Sequence, residues 1–153
     1  MKAVFQRVSE AKVTVEGEIV GQIEKGTMLL VGITPDDTEK EADLLAKKVS
    51  ELRVFEDETG KMNLSLLDIG GSVLAVSQFT LCADTSRGRR PDFFRAAPYG
   101  VAKPLFAYFC EAMKKTGVPV ETGVFGADMQ VSLINDGPVT ILMDTNDWKK
   151  GNN

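Results

Sequence analysis

Two short stretches hold the groups best suited to chemistry. Ser77-Gln78-Phe79-Thr80 ends an apolar run that begins at Val73. Alternation along a strand sends Ser77 and Phe79 to one side and Gln78 and Thr80 to the other. Gln78 and Thr80 thus turn an apolar face polar where strand meets loop, a common place for a site to be built. A strand emerging into solvent, with Thr80 present for its β-propensity, fits the same pattern. Thr80 is the obvious hydroxyl nucleophile, but a hydroxyl without an activating base is a poor one. The chain contains no histidine, which excludes Ser-His-Asp and Cys-His arrangements and any His-based metal site. Asp or Lys could activate Thr80, yet nothing in the sequence puts either beside it. Any hydrolysis must manage its protons by other means.

The second stretch is Asn135-Asp136-Gly137-Pro138, between the β-branched runs 129–134 and 139–143. Proline lacks the ladder donor and belongs at a strand edge, a strand start or a bulge. The Gly-Pro pair therefore marks a tight corner between two strands, although Asp136-Gly137 alone would suit an ordinary hairpin turn. Composition predicts a trans bond at Gly137-Pro138, since only about 5–6% of X-Pro bonds in folded proteins are cis. A third stretch, Arg87-Gly88-Arg89-Arg90-Pro91 with Arg95 close behind, is the one basic cluster. Arg87 and Arg90 are candidates for phosphate contact. The same residues also fit a solvated loop partly neutralised by Asp84 and Asp92.

These stretches need a frame. Alternation over 3–8 and 13–15 predicts half-buried strands, followed by a turn at Glu16-Gly17-Glu18 and a strand over 19–23. The run 28–33 is apolar on both faces and predicts a central, covered strand. Thr38-Glu39-Lys40-Glu41 fits a capping box, and Ala42, Leu45, Val49 and Leu52 recur at helical spacing behind it. A short strand over 52–55, a turn over 57–60 and a long strand over 72–82 follow. A second helix is expected over 104–116, with Pro104 at its first position and Gly117 and Pro119 ending it. An earlier start, at Pro98, would leave Pro104 inside the helix at a cost of ~3 kcal/mol unless the helix kinks. Strands over 119–122, 129–134 and 139–144 close the chain. Strands that outnumber helices predict a single α+β domain, with a mostly antiparallel, curved or barrel-like sheet carrying two main helices. Residues 1–145 form that domain in this reading, and 146–153 a polar, mobile tail.

The 153 residues suffice for one real core, and 43% hydrophobic with 26% charged residues is ordinary for a soluble globular protein. No run reaches the ~20 apolar residues of a membrane span, and the first residues lack the apolar stretch of a signal peptide. Cys82 and Cys110 are far apart without a CxxC pattern, so free thiols in a reducing cytoplasm are expected. A net charge of −4 argues against broad nonspecific nucleic-acid binding and leaves any such contact to the arginine stretch.

In order and spacing the chain resembles the D-aminoacyl-tRNA deacylases nearly throughout. Ser77-Gln78-Phe79-Thr80-Leu81 and Asn135-Asp136-Gly137-Pro138-Val139-Thr140 match the two signature motifs of that family. Gln6-Arg7-Val8, Gly60-Lys61-Met62-Asn63-Leu64, Gly70-Gly71-Ser72-Val73-Leu74, Ala83-Asp84-Thr85 and Ala127-Asp128-Met129-Gln130-Val131-Ser132 add to the match. The resemblance implies a cytoplasmic esterase that cleaves D-aminoacyl-tRNA, needs no cofactor or metal, and spares L-aminoacyl-tRNA. It implies a cis bond at Gly137-Pro138, braced by Arg7 and lent to the site of the partner subunit in a homodimer. Met129 then belongs to the pocket for the adenine end, and Phe79 either lines that pocket or fills core. Ser77, Gln78, Phe79 and Thr80 hold the substrate while a ribose hydroxyl of the tRNA assists its own cleavage. Glycyl-tRNA, with no side chain to exclude, is expected to be hydrolysed too. Two other readings remain open here: a related deacylase that edits an L-amino acid from mischarged tRNA, and a non-catalytic nucleic-acid-binding module.

Overall fold

The computed structural model describes residues 1–149. Its frame is one six-stranded sheet built around the long first strand, β1 (Lys2–Val15). On one edge β1 pairs antiparallel with β2 (Glu18–Ile23) and with β3 (Gly26–Gly32); on the other it pairs antiparallel with β8 (Gln130–Asp144). Beyond β3 the sheet continues in parallel through β6 (Ser72–Ser77) to β7 (Val120–Thr122). The sheet is therefore mixed: three pairings are antiparallel and two parallel. Its two ends approach each other closely enough that a Cβ on Gly21 of β2 would lie 2.3 Å from the Thr122 carbonyl oxygen of β7. Only glycine admits that approach, so the sheet is curved and nearly closed.

Curvature gives the sheet two cores. On its outer face Phe5, Leu29, Val31, Val73 and Ala75 pack beneath α1 (Glu39–Glu51) and α3 (Tyr99–Lys115). Inside the curve, Val8, Val13, Met28, Leu74 and Val76 form a second cluster, covered in part by Met129, Val131 and Leu133. This is why β3 and β6 read as apolar on both faces. A small hairpin of β4 (Phe55–Glu56) and β5 (Met62–Leu64) sits apart from the main sheet, with the expected turn closed by Gly60 donating to the Asp57 carbonyl at 3.0 Å. A single helical turn, α2 (Leu66–Ile69), was not expected; its signal is Ser65-x-x-Asp68, a capping box with both reciprocal bonds made.

The Thr38 capping box is also complete, with Thr38 Oγ1 donating to Glu41 Oε2 at 2.6 Å and the Thr38 amide donating to the same oxygen at 2.7 Å. Four other expectations require correction. First, α3 starts five residues before Pro104, which lies inside it. The buried stripe of Ala102, Leu105, Phe106, Phe109, Cys110 and Met113 runs across the proline, and the carbonyl it leaves without a donor belongs to exposed Gly100. Second, the strand expected over 72–82 stops at Ser77. The last rung is the Gln78 amide donating to the Val31 carbonyl at 2.8 Å, after which residues Phe79–Cys82 wind into a 3-10 turn. That turn packs so tightly on Gly32 that a Cβ there would lie 2.9 Å from Leu81 Cβ.

Third, residues 129–134 and 139–144 do not flank a corner between two strands. Both belong to β8 and both pair with β1 in one direction, with Val8 opposite Asn135 and Gln6 opposite Thr140. One residue of β1, Arg7, thus faces four of β8, residues 136–139, which bulge out of the ladder. Fourth, the segment expected to be a mobile tail opens with a docked helical turn, α4 (Asn146–Lys149). Trp148 packs on the outer core beneath Lys48, whose Nζ lies 5.1 Å from the ring centre, and Lys149 Nζ meets Glu41 at 2.6 Å. Residues 150–153 lie outside the described part. Among the described residues, no helix is long and apolar enough to cross a membrane.

Candidate active site and family

Where β6 gives way to the 3-10 turn, a cavity of about 460 Å3 opens beside the inner core, within the size range of small-ligand sites. Ser77, Gln78 and Phe79 form one wall. Phe125, Ala127 and Met129, on the approach to β8, form the opposite one, while Tyr99 and Ala102 of α3 and Ile33 beyond β3 complete it. Three elements distant in sequence therefore meet at one cleft. The sequence singled out Ser77, Gln78, Phe79 and Met129, and the fold brings these four together. It missed Tyr99, Phe125 and Ala127. Phe125-Gly126-Ala127 lies one residue before Met129, and the edge-on contact of Tyr99 with Phe125 at 5.2 Å ties α3 to that wall.

The chemistry of the lining is restrictive. Among the described residues Tyr99 is its one residue with an ionisable side chain; carboxylate, amine, guanidinium and thiol groups are all missing from it. Polar function is limited to Ser77, Gln78, the Tyr99 hydroxyl and backbone groups. Thr80 lies on the exposed side of the turn, outside the lining, where its hydroxyl accepts a hydrogen bond from Gln78 Nε2. Among the described residues no carboxylate or amine hydrogen-bonds to that hydroxyl, so no base activates it. The amides of Phe79 and Thr80 open the 3-10 turn and find no acceptor among the described residues, as the first donors of a helical turn characteristically do. Neither cysteine offers a nucleophile. Burial pushes the Cys110 thiol up to about 12 and raises Cys82 as well, so both stay protonated.

Gly137 and Pro138 do not reach this cavity in their own chain. They stand exposed in the β8 bulge, and the bond between them is cis. Arg7, 6% exposed, lies directly beneath. Its Nε donates to the Asp136 carbonyl at 3.0 Å and its Nη1 to the Val54 carbonyl at 2.8 Å, with Asp136 and Glu56 carboxylates at 3.7 and 3.9 Å. Gly137 holds φ at +124°, a conformation that strains any side chain, and a Cβ there would also lie 2.8 Å from Arg7 Nη2 and push the guanidinium aside. Asn135 closes the neck of the bulge by donating to Thr140 Oγ1 at 2.8 Å and accepting from the Val139 amide at 3.2 Å. Arg87 and Arg90 also lie outside the lining, exposed on the loop between the 3-10 turn and α3. That loop is near the cavity, because Phe93 packs edge-on against Phe79 at 5.1 Å.

Comparison with known proteins agrees over nearly the whole length. The sequence pattern of the family described as D-Tyr-tRNA(Tyr) deacylase matches residues 4–144. A D-aminoacyl-tRNA deacylase of Thermus aquaticus is 59% identical over 152 residues, 99% of each chain. One from Lacticaseibacillus casei (strain BL23) is 59% identical over 145 residues, covering 95% of this chain and 98% of its own. A solved structure named c-Myc DNA Unwinding Element Binding Protein superposes with a TM-score of 0.90 at 46% identity, over 94% of this chain and 98% of that one. A probable eukaryotic D-amino acid tRNA deacylase shares the fold alone, with a TM-score of 0.80 at 16% identity. With matches of this extent, the chain belongs to the D-Tyr-tRNA(Tyr) deacylase family.

Proposed function

We propose that the protein is an editing hydrolase that cleaves the ester between a D-amino acid and tRNA, releasing both. The observation that carries the mechanism is the cavity's want of any strong acid or base. An aminoacyl ester is already activated, so attack by water requires orientation and a place for the developing oxyanion rather than a strong protein base. The free amides of Phe79 and Thr80 serve as oxyanion donors, a contribution of ~3–4 kcal/mol for each well-placed donor. Ser77 and Gln78 hold the terminal ribose, and Met129 meets the adenine. The neighbouring ribose hydroxyl orients the water, and proximity can lower the barrier by a further ~7–11 kcal/mol. Thr80 fixes the Gln78 amide instead of attacking.

Handedness is read by main chain. Gly137 and Pro138 of a second copy complete the cavity, and an L side chain collides with that wall where a D side chain does not. Arg7 holds the wall in place from below. A homodimer is supported by β8, which among the described residues pairs on one side only and exposes Ile134 and Leu142 along its length. Arg87 and Arg90 meet backbone phosphates of the tRNA. No cofactor takes part, and the reaction belongs to the cytoplasm.

Deacylation of D-tyrosyl-tRNA and L-tyrosyl-tRNA, each with and without a chelator, tests this reading. Hydrolysis of the D ester alone, indifferent to chelator, is expected, with glycyl-tRNA also cleaved. Equal hydrolysis of the L ester, or complete sparing of glycyl-tRNA, contradicts selection by exclusion.

A further inference from the structure

The loop over 84–95 joins the cavity wall to α3 and holds a feature that neither the core nor the cavity uses. Phe94 is 90% exposed, more than any other large apolar residue described. Its neighbour Phe93, 37% exposed, packs edge-on against Phe79, a ring contact that Phe94 does not share. The backbone around Phe94 is pinned. Asp84 and Asp92 exchange amide-to-carbonyl bonds of 2.7 and 2.9 Å across the loop, and Asp92 Oδ1 accepts the Phe94 amide at 2.6 Å. On the far side the Ala97 amide donates to the Ile33 carbonyl at 2.8 Å, and Arg95 pairs with Asp84 at 3.4 Å. An exposed ring on a fixed turn is presented outward.

The surroundings indicate what it is presented to. The loop contains Arg87, Arg89, Arg90 and Arg95 against Asp84 and Asp92, four positive charges and two negative, hence +2 in a chain of net −4. Apart from Gly88, Pro91 and the partly exposed Phe93, the loop residues beside Phe94 are polar or charged, four arginines among them, whereas charged residues are depleted at the core of a protein interface. A single flat ring flanked by guanidinium groups suits a strand of unpaired nucleotides, with a base on the ring and phosphates on the arginines. We infer that the loop is a docking platform for the single-stranded acceptor end of tRNA, with Phe94 stacking on an unpaired base upstream of the terminal adenosine. Arg87, Arg89 and Arg90 hold the adjoining phosphates. The inference rests on the deacylase reading and deepens it: Phe93 against Phe79 links the platform to the cavity wall, so a strand lying on the loop enters the site at a set angle.

The test compares two substrates, D-tyrosyl-tRNA and the 2′(3′)-O-D-tyrosyl ester of adenosine, which lacks every upstream nucleotide. In Phe94→Ala, the ratio of kcat/KM for tRNA to that for the adenosine ester falls roughly tenfold or more, whereas Phe94→Trp keeps the wild-type ratio. In Arg89→Ala, the slope of log binding against log salt for uncharged tRNA flattens by roughly 0.7. An unchanged ratio in Phe94→Ala overturns the platform. So does an equal loss on both substrates, or a change in sedimenting mass that marks Phe94 as a subunit contact. Failure of the wild-type protein to cleave either D ester overturns the deacylase reading instead, so the two failures are distinct.

Discussion

Replacing Arg7 by methionine keeps most of the side chain's volume while removing every donor beneath the β8 bulge. Two charge-assisted hydrogen bonds are lost, to the Val54 and Asp136 carbonyls, each worth ~1.5–3 kcal/mol. The Val54 bond is buried and its carbonyl is left without a partner; that of Asp136, on an exposed bulge, regains water. The carboxylates of Glu56 and Asp136 are 59% and 56% exposed, so their ion pairs add close to nothing. The net loss is about 3–4 kcal/mol, which lowers the melting temperature by about 10 °C for a domain of this size. With ordinary stability of ~5–15 kcal/mol the variant still folds at 25 °C. The consequence for function is separable from stability. Asn135 still closes the neck of the bulge, but nothing fixes its tip, so kcat/KM for D- over L-tyrosyl-tRNA falls at least tenfold, or ~1.4 kcal/mol of discrimination. Arg7→Lys, which keeps the charge but loses the fork, falls between. A lower melting temperature with an unchanged D-to-L ratio would show that Arg7 stabilises the fold without serving selectivity.

Thr80→Ala or Thr80→Val retains substantial deacylation in single-turnover assays, because no base activates that hydroxyl; a loss of ~10^4 in kcat would restore it as a covalent nucleophile. Burial raises the Glu41 carboxyl, but hydrogen bonds from Lys149, Thr38 Oγ1 and the Thr38 amide outweigh it and bring the pKa from 4.5 to about 2. A depressed pKa stabilises the fold above 4.5 and loses that contribution as pH falls toward 2, so Glu41→Gln flattens the acid limb of a denaturation series. Half-exposed Lys149 keeps this contribution well under the ~3 kcal/mol that the shift alone implies. Neither Cys82 nor Cys110 reacts with a thiol reagent in the folded state at pH 8, both being buried and held protonated; titration of one thiol without unfolding contradicts this.

What the sequence revealed divides by range of interaction. The Thr38 capping box and the helix behind it were legible because a cap and an apolar stripe are local. The course of β8 was not. Gly137-Pro138 announces a break, but whether its flanking runs pair with each other or both with β1 depends on a strand over a hundred residues away. The extent of α3 was hidden for a related reason: Pro104 carries a local cost that burial of Ala102 and Leu105 offsets, and burial is decided by the sheet underneath. Likewise the alternation through Phe79 and Thr80 continues past the point where β3 ends and the ladder with it. At the site, Ser77 and Gln78 stood out as polar groups at a strand end, and Phe79 and Met129 through family resemblance. Tyr99 carried no local signal, because its place at the cleft comes from the crossing of α3 over the sheet.

Separation of the cavity from the Gly137-Pro138 bulge within one chain gives the dimer reading a sharp consequence. Consider one variant with a blocked cavity, Ala127→Phe, and another with a displaced bulge, Gly137→Ala. If each site takes its cavity from one chain and its wall from the other, and the forced Cβ drives the bulge into the cavity it completes so that neither ester enters, both homodimers are inactive. A mixed dimer joins the blocked cavity to the displaced wall at one site, and the intact cavity to the intact wall at the other. Random reassortment makes half the dimers mixed and half of their sites whole, so about a quarter of wild-type activity returns on mixing. If the wall served its own chain, every site in the mixture would carry one lesion or the other, and activity would stay at the level of the separate variants. Unfolding and refolding the two variants together, then assaying D-tyrosyl-tRNA, distinguishes the two arrangements without requiring the interface itself to be seen.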